Sequence, residues 1–239
     1  MTWIQPVCLT ASLFAALWGC AIAPPPIPLH DEPTLRVALE YDPHAGAGHS
    51  HPTPMSTDTM IAVLRGLHLQ GRDVVGTFGL LGNDAGTAAF TNREILAGVA
   101  SHLVVGLAKA SPRDLVTFYV VQRDSQHAPL ITSGGVFVRG HHLYVILANG
   151  RTSPSAIQYE TTYEPNTRHA PLVPIARFKF KAGFQPPDAR VTTSEAKQVD
   201  GWEGYLDESK VVVIDLLRLP NALPPSVTTT PTVSPGITP

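Results

Sequence analysis

One stretch, residues 114–149, constrains the fold more than any other part of the chain. It opens with the run DLVTFYVVQ, whose β-branched and aromatic residues predict a β-strand. After a polar loop, the runs ITSGGVFV and HHLYVILA flank the dipeptide Arg139-Gly140, a spacing typical of a two-residue hairpin turn that contains glycine. Three successive strands therefore predict a β-sheet at the centre of the protein.

The strongest helix signal lies just before this block. Thr91 and Glu94 have the spacing of a capping box, and apolar residues recur after them at helical intervals as far as about Ala110. Two glycines, Gly98 and Gly106, weaken such a helix by up to ~1 kcal/mol each unless a neighbour packs closely against them. The order of one long helix followed by three strands predicts an α+β fold.

Weaker signals complete the predicted domain. Ser56 or Thr57 is placed to cap a short helix. A second short helix is predicted over 153–163, where proline occupies an early position. Further strands are predicted over 34–41, 175–180 and 210–217. We therefore expect a single α+β domain over about 34–218, with a five- to six-stranded antiparallel or mixed sheet and one long helix packed on it.

The composition excludes several classes of function. Seventeen basic and nineteen acidic residues give a net charge of −2, so no basic surface of the size that binds nucleic acid is expected. The only cysteines, Cys8 and Cys20, both precede the predicted domain. The domain therefore contains neither a disulfide, nor a thiolate metal site, nor a cysteine nucleophile.

The first part of the chain has the pattern of an export signal. Residues 1–29 contain no charged side chain, and the apolar run 7–17 is shorter than the ~20 residues that a membrane-spanning helix needs. The run ends in Leu17-Trp18-Gly19-Cys20, which resembles the lipobox of bacterial lipoprotein precursors. The box usually has a small residue in place of Trp18, and no basic residue precedes the run. The resemblance implies a lipid on Cys20 and cleavage before it, whereas Ala21-Ile22-Ala23 offers an alternative signal-peptidase site.

These features predict four regions: a signal peptide over 1–19, a proline-rich tether over 20–33, the α+β domain, and a disordered Pro/Thr-rich tail over 219–239. The lipid on Cys20 would hold the protein on a membrane of the bacterial cell envelope, facing the periplasm or in the outer membrane. The first hypothesis is therefore a non-catalytic lipoprotein that binds or assembles with another envelope protein.

A histidine-rich loop supports an alternative hypothesis. His44, His49 and His51 lie within eight residues, and His30, His68 and Met55 flank them. Imidazole nitrogens bind both copper and zinc, so the loop predicts a periplasmic copper- or zinc-binding protein. The competing interpretation is a solvated loop whose histidines cluster without a ligand.

The sequence contains no complete catalytic motif. His141 and His142 open a predicted strand, where consecutive side chains point to opposite faces, so they are not expected to chelate one ion. Ser133 precedes two glycines but lacks the glycine before it that a nucleophile elbow needs. A hydrolase whose serine, histidine and carboxylate meet only in the folded chain is the second alternative, with no catalytic residue assigned.

Overall fold

The computed structural model describes residues 23–71, 86–125, 127–153, 168–175, 180–192 and 208–219. The predicted signal peptide, Cys20, the helix predicted over 153–163 and nearly all of the C-terminal tail lie outside these ranges. Most of the strand predicted over 175–180 lies outside them as well.

Nine strands and two α-helices make up the described structure. The strands are β1 (Ile27–Glu32), β2 (Leu35–Tyr41), β3 (Leu67–Gln70), β4 (Thr87–Ala88), β5 (Asp114–Arg123), β6 (Pro129–Arg139), β7 (His142–Thr152), β8 (Lys181–Phe184) and β9 (Val211–Asp215). The helices are α1 (Thr57–Gly66) and α2 (Arg93–Lys109).

Six of the strands form one antiparallel sheet in the order β1-β2-β5-β6-β7-β9. The other three form a small sheet in the order β4-β3-β8. The predicted strand-loop-hairpin is confirmed as the centre of the large sheet. The α+β class is confirmed too: α2 is the predicted long helix, and α1 is the short helix predicted at Ser56.

Both helices begin at a side chain that caps them. The Ser56 hydroxyl accepts the backbone N–H of Thr59 at 3.0 Å and starts α1, as predicted. Asn92, and not Thr91, caps α2, because its Oδ1 accepts the N–H groups of Glu94 and Ile95 at 2.8 and 3.1 Å. The predicted cap was therefore wrong by one residue.

The large sheet is covered on both faces. One face packs under the helices, and residues such as Val37, Phe118, Val145 and Leu103 form the main core there. The opposite face carries a smaller apolar cluster. Its members are Leu115, Phe137, Tyr144, Ile146, Val191, Val211 and Val213. A sheet buried on both faces explains why β6 and β7 read as nearly continuous apolar runs and do not alternate.

The first strand corrects the predicted tether. Residues 20–33 were assigned to a polyproline-like segment, but Ile27–Glu32 pairs with β2 along the edge of the sheet. Proline is tolerated on an edge strand, where one side of the backbone has no strand to bond, and Pro28 lies in this one beside an irregularity in the register. The folded part therefore starts closer to Cys20 than the sequence indicated.

The β6–β7 hairpin also differs from the prediction by one residue. Arg139 pairs with His142, so the two-residue turn is Gly140-His141 and not Arg139-Gly140. The φ angle of Gly140 is +58°, a value that glycine adopts without strain at the first position of such a turn. As a result His141 belongs to the turn and only His142 to the strand.

Candidate functional site

The histidine-rich loop is attached to the rest of the fold by backbone hydrogen bonds. The N–H of His49 donates to the carbonyl of Pro112 at 2.7 Å, and that of Ser50 donates to Val138 at 2.7 Å. The N–H of Thr53 donates to Leu107 at 2.8 Å. The loop is therefore held between the α2–β5 connection and the β6–β7 hairpin, and the sequence interpretation of a solvated loop does not hold for it.

His49 is the centre of a buried polar chain. Its Nε2 lies 2.6 Å from Oδ2 of Asp42, and both side chains are buried. Its Nδ1 lies 3.4 Å from Nε of Arg139. A guanidinium can only donate, so Nδ1 accepts and Nε2 carries the hydrogen that goes to Asp42. Both ring nitrogens are therefore occupied, and neither is available to a metal.

Arg139 joins this chain to the main chain of the loop. Its Nη2 donates to the carbonyls of Ala45 at 3.0 Å and His44 at 3.4 Å, and its guanidinium lies 5.3 Å above the centre of the Phe137 ring. His49 packs on the same ring, with 4.3 Å between ring centres. These contacts explain why a charged residue is tolerated on the second face of the sheet.

His51 is buried beside His49 in a less polar environment. The ring centres are 5.6 Å apart, and neither ring nitrogen of His51 has a hydrogen-bond partner. The pKa of His51 is lowered from 6.5 to about 4: burial is the largest cause, the neighbouring His49 also lowers it, and the carboxylate of Asp114 acts in the opposite direction. His51 is therefore neutral at pH 7.

The three predicted metal ligands do not converge on one point. His44 is exposed, His49 is bonded at both nitrogens, and His51 is enclosed. The flanking histidines are held elsewhere: His30 stacks on His102 with 4.0 Å between ring centres, and His68 lies in the small sheet. The histidine loop therefore serves the packing of the fold, and its geometry does not favour the copper or zinc site that the sequence predicted there.

A different set of histidines meets at the β6–β7 turn. The ligand atoms of His141, His142 and Asp215 all lie within 4.8 Å of one another, and within the described ranges no other such group of three occurs. The prediction that His141 and His142 point apart was wrong, because His141 belongs to the turn. The approach of Asp215 could not be read from the sequence, since it depends on β9 pairing with β7.

Ser133, whose surroundings in the sequence lack the nucleophile-elbow motif, has a structural role. The Ser133 hydroxyl donates to the carbonyl of Pro171 at 2.7 Å and accepts from Asn149 Nδ2 at 2.8 Å. Asn149 also accepts the N–H of Ile175 at 2.7 Å. This buried network fixes the segment 168–175 over the second face of the sheet. Neither of these contacts of Ser133 involves a histidine, so the described structure gives no support to the hydrolase hypothesis at this residue.

Comparison with known proteins gives no relative. No protein-family profile matches the chain, no curated protein matches it, and no solved structure resembles it significantly. Among the described residues, neither helix is both long and apolar enough to cross a bilayer. Any function must therefore be argued from the residues themselves.

Proposed function

We propose that this protein is an exported lipoprotein of the bacterial cell envelope, a non-catalytic binding or assembly module that a lipid on Cys20 holds at a membrane. The observation that carries the proposal is the lipobox-like Leu17-Trp18-Gly19-Cys20 followed so soon by a folded domain. The strand β1 begins at Ile27, and the seven Cα steps from Cys20 span at most ~25 Å. A lipid at Cys20 would thus keep the domain against the bilayer surface.

The strand register supports one orientation of the domain. Ile27 lies opposite Leu39, which pairs with Val116, which in turn pairs with Val136. The chain before Ile27 therefore leaves the sheet toward the end at which β6 reaches Arg139 and the hairpin turn. A lipid attached through this segment would place the turn end of the sheet nearest the membrane. A partner at that membrane would therefore meet the turn end.

The roles of the polar residues favour binding over catalysis. The buried candidates for chemistry, His49 and Ser133, are each bonded to groups that hold loops in place. Both faces of the sheet are packed in the described part of the chain, which makes the edge at β1 and the turn end candidate surfaces for a partner. The location that the lipobox-like signal implies makes another envelope protein the expected partner.

Lipid attachment is tested with the full chain expressed in a bacterium supplied with labelled palmitate. Wild type is expected to incorporate the label and to sediment with membranes, and Cys20→Ala is expected to lose both properties. Cys8→Ala is the matched control, because it removes the other cysteine and leaves the lipobox intact. Unchanged labelling and sedimentation of Cys20→Ala would overturn the proposal, as would a mature N-terminus at Pro24.

A further inference from the structure

We propose that His141, His142 and Asp215 bind a divalent late transition-metal ion, with Zn²⁺ as the reference metal. The three residues lie at the turn end of the sheet, separate from the buried Asp42–His49 pair. The site would give the module a ligand whether or not Cys20 carries a lipid.

The fold places the three ligands by strand pairing. His142 and Asp215 are direct register partners on β7 and β9, so their side chains project from the same face of the sheet. His141 precedes them in the turn, and its carbonyl accepts the N–H of Leu216 at 3.0 Å. That bond fixes the turn to the end of β9, so all three side chains start from backbone that the sheet holds in position.

The donor set suits zinc or copper. Two imidazole nitrogens and one carboxylate oxygen are the usual ligands of Zn²⁺ and Cu²⁺, whereas Ca²⁺ and Mg²⁺ favour oxygen alone. Bonds of ~2.0–2.2 Å to a tetrahedral ion require ligand atoms that are ~3.3 Å apart. The ligand atoms of these three residues are up to 4.8 Å apart, so they must move closer together to bind the ion. His141 can close this gap by side-chain rotation, because its side chain is 50% exposed.

Groups around the ligands already orient the carboxylate. Oδ1 of Asp215 accepts the N–H of Leu217 at 2.9 Å, and Oδ2 pairs with Nε of Arg218 at 3.0 Å. The Asp215 side chain is only 7% exposed, so it has little freedom to turn away. Hydrogen bonds of this kind to a ligating carboxylate are common around metal ions and set its direction.

Two positive side chains oppose a bound cation. Arg139 is the register partner of His142 but is held by the carbonyls of the histidine loop. Arg218 competes directly for Asp215, although its side chain is 55% exposed and can move into solvent. Removing the charge of Arg218 is therefore expected to tighten metal binding, a direction that a purely structural role of this ion pair would not produce.

The three-residue set leaves coordination positions open. Structural zinc sites are usually closed by four protein ligands, whereas three ligands leave a place for water or for a donor from another molecule. At an exposed turn such a position is accessible from solvent. The site therefore fits reversible binding or transfer of a metal better than a permanent structural role.

The test is calorimetric titration of the full chain, purified in mild detergent, with zinc chloride. Wild type is expected to bind one equivalent, and His141→Ala, His142→Ala and Asp215→Asn are each expected to lose at least about tenfold in affinity. Arg218→Gln is expected to bind more tightly than wild type. His44→Ala and His127→Ala are matched controls, since both remove an exposed histidine elsewhere. Circular dichroism establishes that each variant is folded.

A second readout identifies the ligands directly. With one equivalent of Cu²⁺, the electron paramagnetic resonance spectrum of wild type is expected to contain hyperfine coupling to two imidazole nitrogens. Each single-histidine variant at the turn is expected to retain one. Wild-type zinc affinity in both His141→Ala and His142→Ala would overturn the proposal, as would an equal loss in His44→Ala. A Cys20→Ala chain is expected to bind metal normally, which separates this outcome from that of the lipid experiment.

Discussion

The Nε2 atom of His49 lies 2.6 Å from Oδ2 of Asp42, with both side chains buried, and this pair organises the histidine-rich loop. Oδ1 of Asp42 also accepts the N–H of His44 at 2.8 Å. One carboxylate thus satisfies a buried ring N–H and a backbone N–H, while Arg139 satisfies the other ring nitrogen. The loop is therefore built around polar groups that depend on each other.

We predict that Asp42→Ala lowers the free energy of unfolding by about 2–4 kcal/mol. The substitution removes the acceptor of two hydrogen bonds and leaves the His49 N–H buried without a partner, which costs more than a lost surface contact. Urea denaturation followed by circular dichroism measures the change. Asp58→Ala, at an exposed position in the first turn of α1, is the control and is expected to lose less than about 1 kcal/mol. Equal losses in the two variants would contradict the structural role of Asp42.

The two glycines of α2 are predicted to respond to alanine in opposite directions. At Gly98 an added Cβ meets only Leu35 Cδ2 at 3.8 Å, so Gly98→Ala is expected to raise the free energy of unfolding by about 0.5–1 kcal/mol. At Gly106 the same atom would lie 2.5 Å from Val116 Cγ1 and 3.2 Å from Leu29 Cδ1, so Gly106→Ala is expected to destabilise the protein.

Thermal unfolding of both variants tests this difference. The loss of stability in the double variant Gly106→Ala/Val116→Ala is expected to be smaller than the sum of the two single losses, because the second change removes the atom that clashes. A stabilising Gly106→Ala would mean that α2 does not pack on β5 as described.

The sequence was sufficient for the elements whose local pattern agrees with their surroundings. β5 to β7, α1 with its Ser56 cap, and the body of α2 follow from composition, periodicity and capping. The sequence did not predict β1, because the prolines of this segment indicate a polyproline-like chain. The segment forms a strand only because it pairs with β2. The turn position failed by one residue, since register is decided by the pairing of whole strands.

The same reason limited the prediction of the site. His44, His49 and His51 are close in sequence, yet His49 and His51 are buried and do not form a site with His44. His49 bonds to Asp42 and packs on Phe137, and backbone hydrogen bonds hold the loop against the fold. His142 and Asp215 are distant in sequence and meet only because β7 and β9 are neighbours. Strand order sets such contacts, and no local pattern in the chain encodes it.

His51 is predicted to make the protein less stable in mild acid. Its pKa is about 4 in the folded state and about 6.5 when unfolded, so the unfolded chain binds the proton more readily between these values. The contribution of neutral His51 to the free energy of unfolding is therefore fully present above pH 6.5. It is lost as the pH drops toward 4, by as much as about 3 kcal/mol. His51→Phe removes the titrating group, and because no hydrogen bond is lost the variant is expected to fold.

The measurement is the free energy of unfolding of wild type and His51→Phe at intervals from pH 4 to pH 7.5. The difference between the two curves isolates His51, since every other titratable group is present in both proteins. We expect the free energy of unfolding of His51→Phe to rise steadily relative to that of wild type as the pH falls. Parallel curves would mean that His51 is accessible to protons in the folded state.

Arg139→Lys is predicted to loosen the histidine loop without unfolding the protein. Two nitrogens of the planar guanidinium donate to three acceptors: Nη2 donates to the carbonyls of Ala45 and His44, and Nε donates to His49. A lysine ammonium cannot reproduce this arrangement from a single atom. Hydrogen exchange is expected to accelerate at the amides of the loop, whereas the amides of α1 and α2 keep their protection because the other face of the sheet is untouched.

Arg113→Lys is the matched control for this change. Arg113 is exposed, and its guanidinium donates a 3.4 Å hydrogen bond to the Tyr41 hydroxyl, so its replacement is expected to leave loop exchange unchanged. Since His142 faces Arg139 across the hairpin, zinc titration of Arg139→Lys also separates two effects. A looser loop with unchanged zinc affinity would mean that the turn site is held by β7 and β9 alone, whereas a parallel loss of affinity would make the histidine loop a support of the metal ligands.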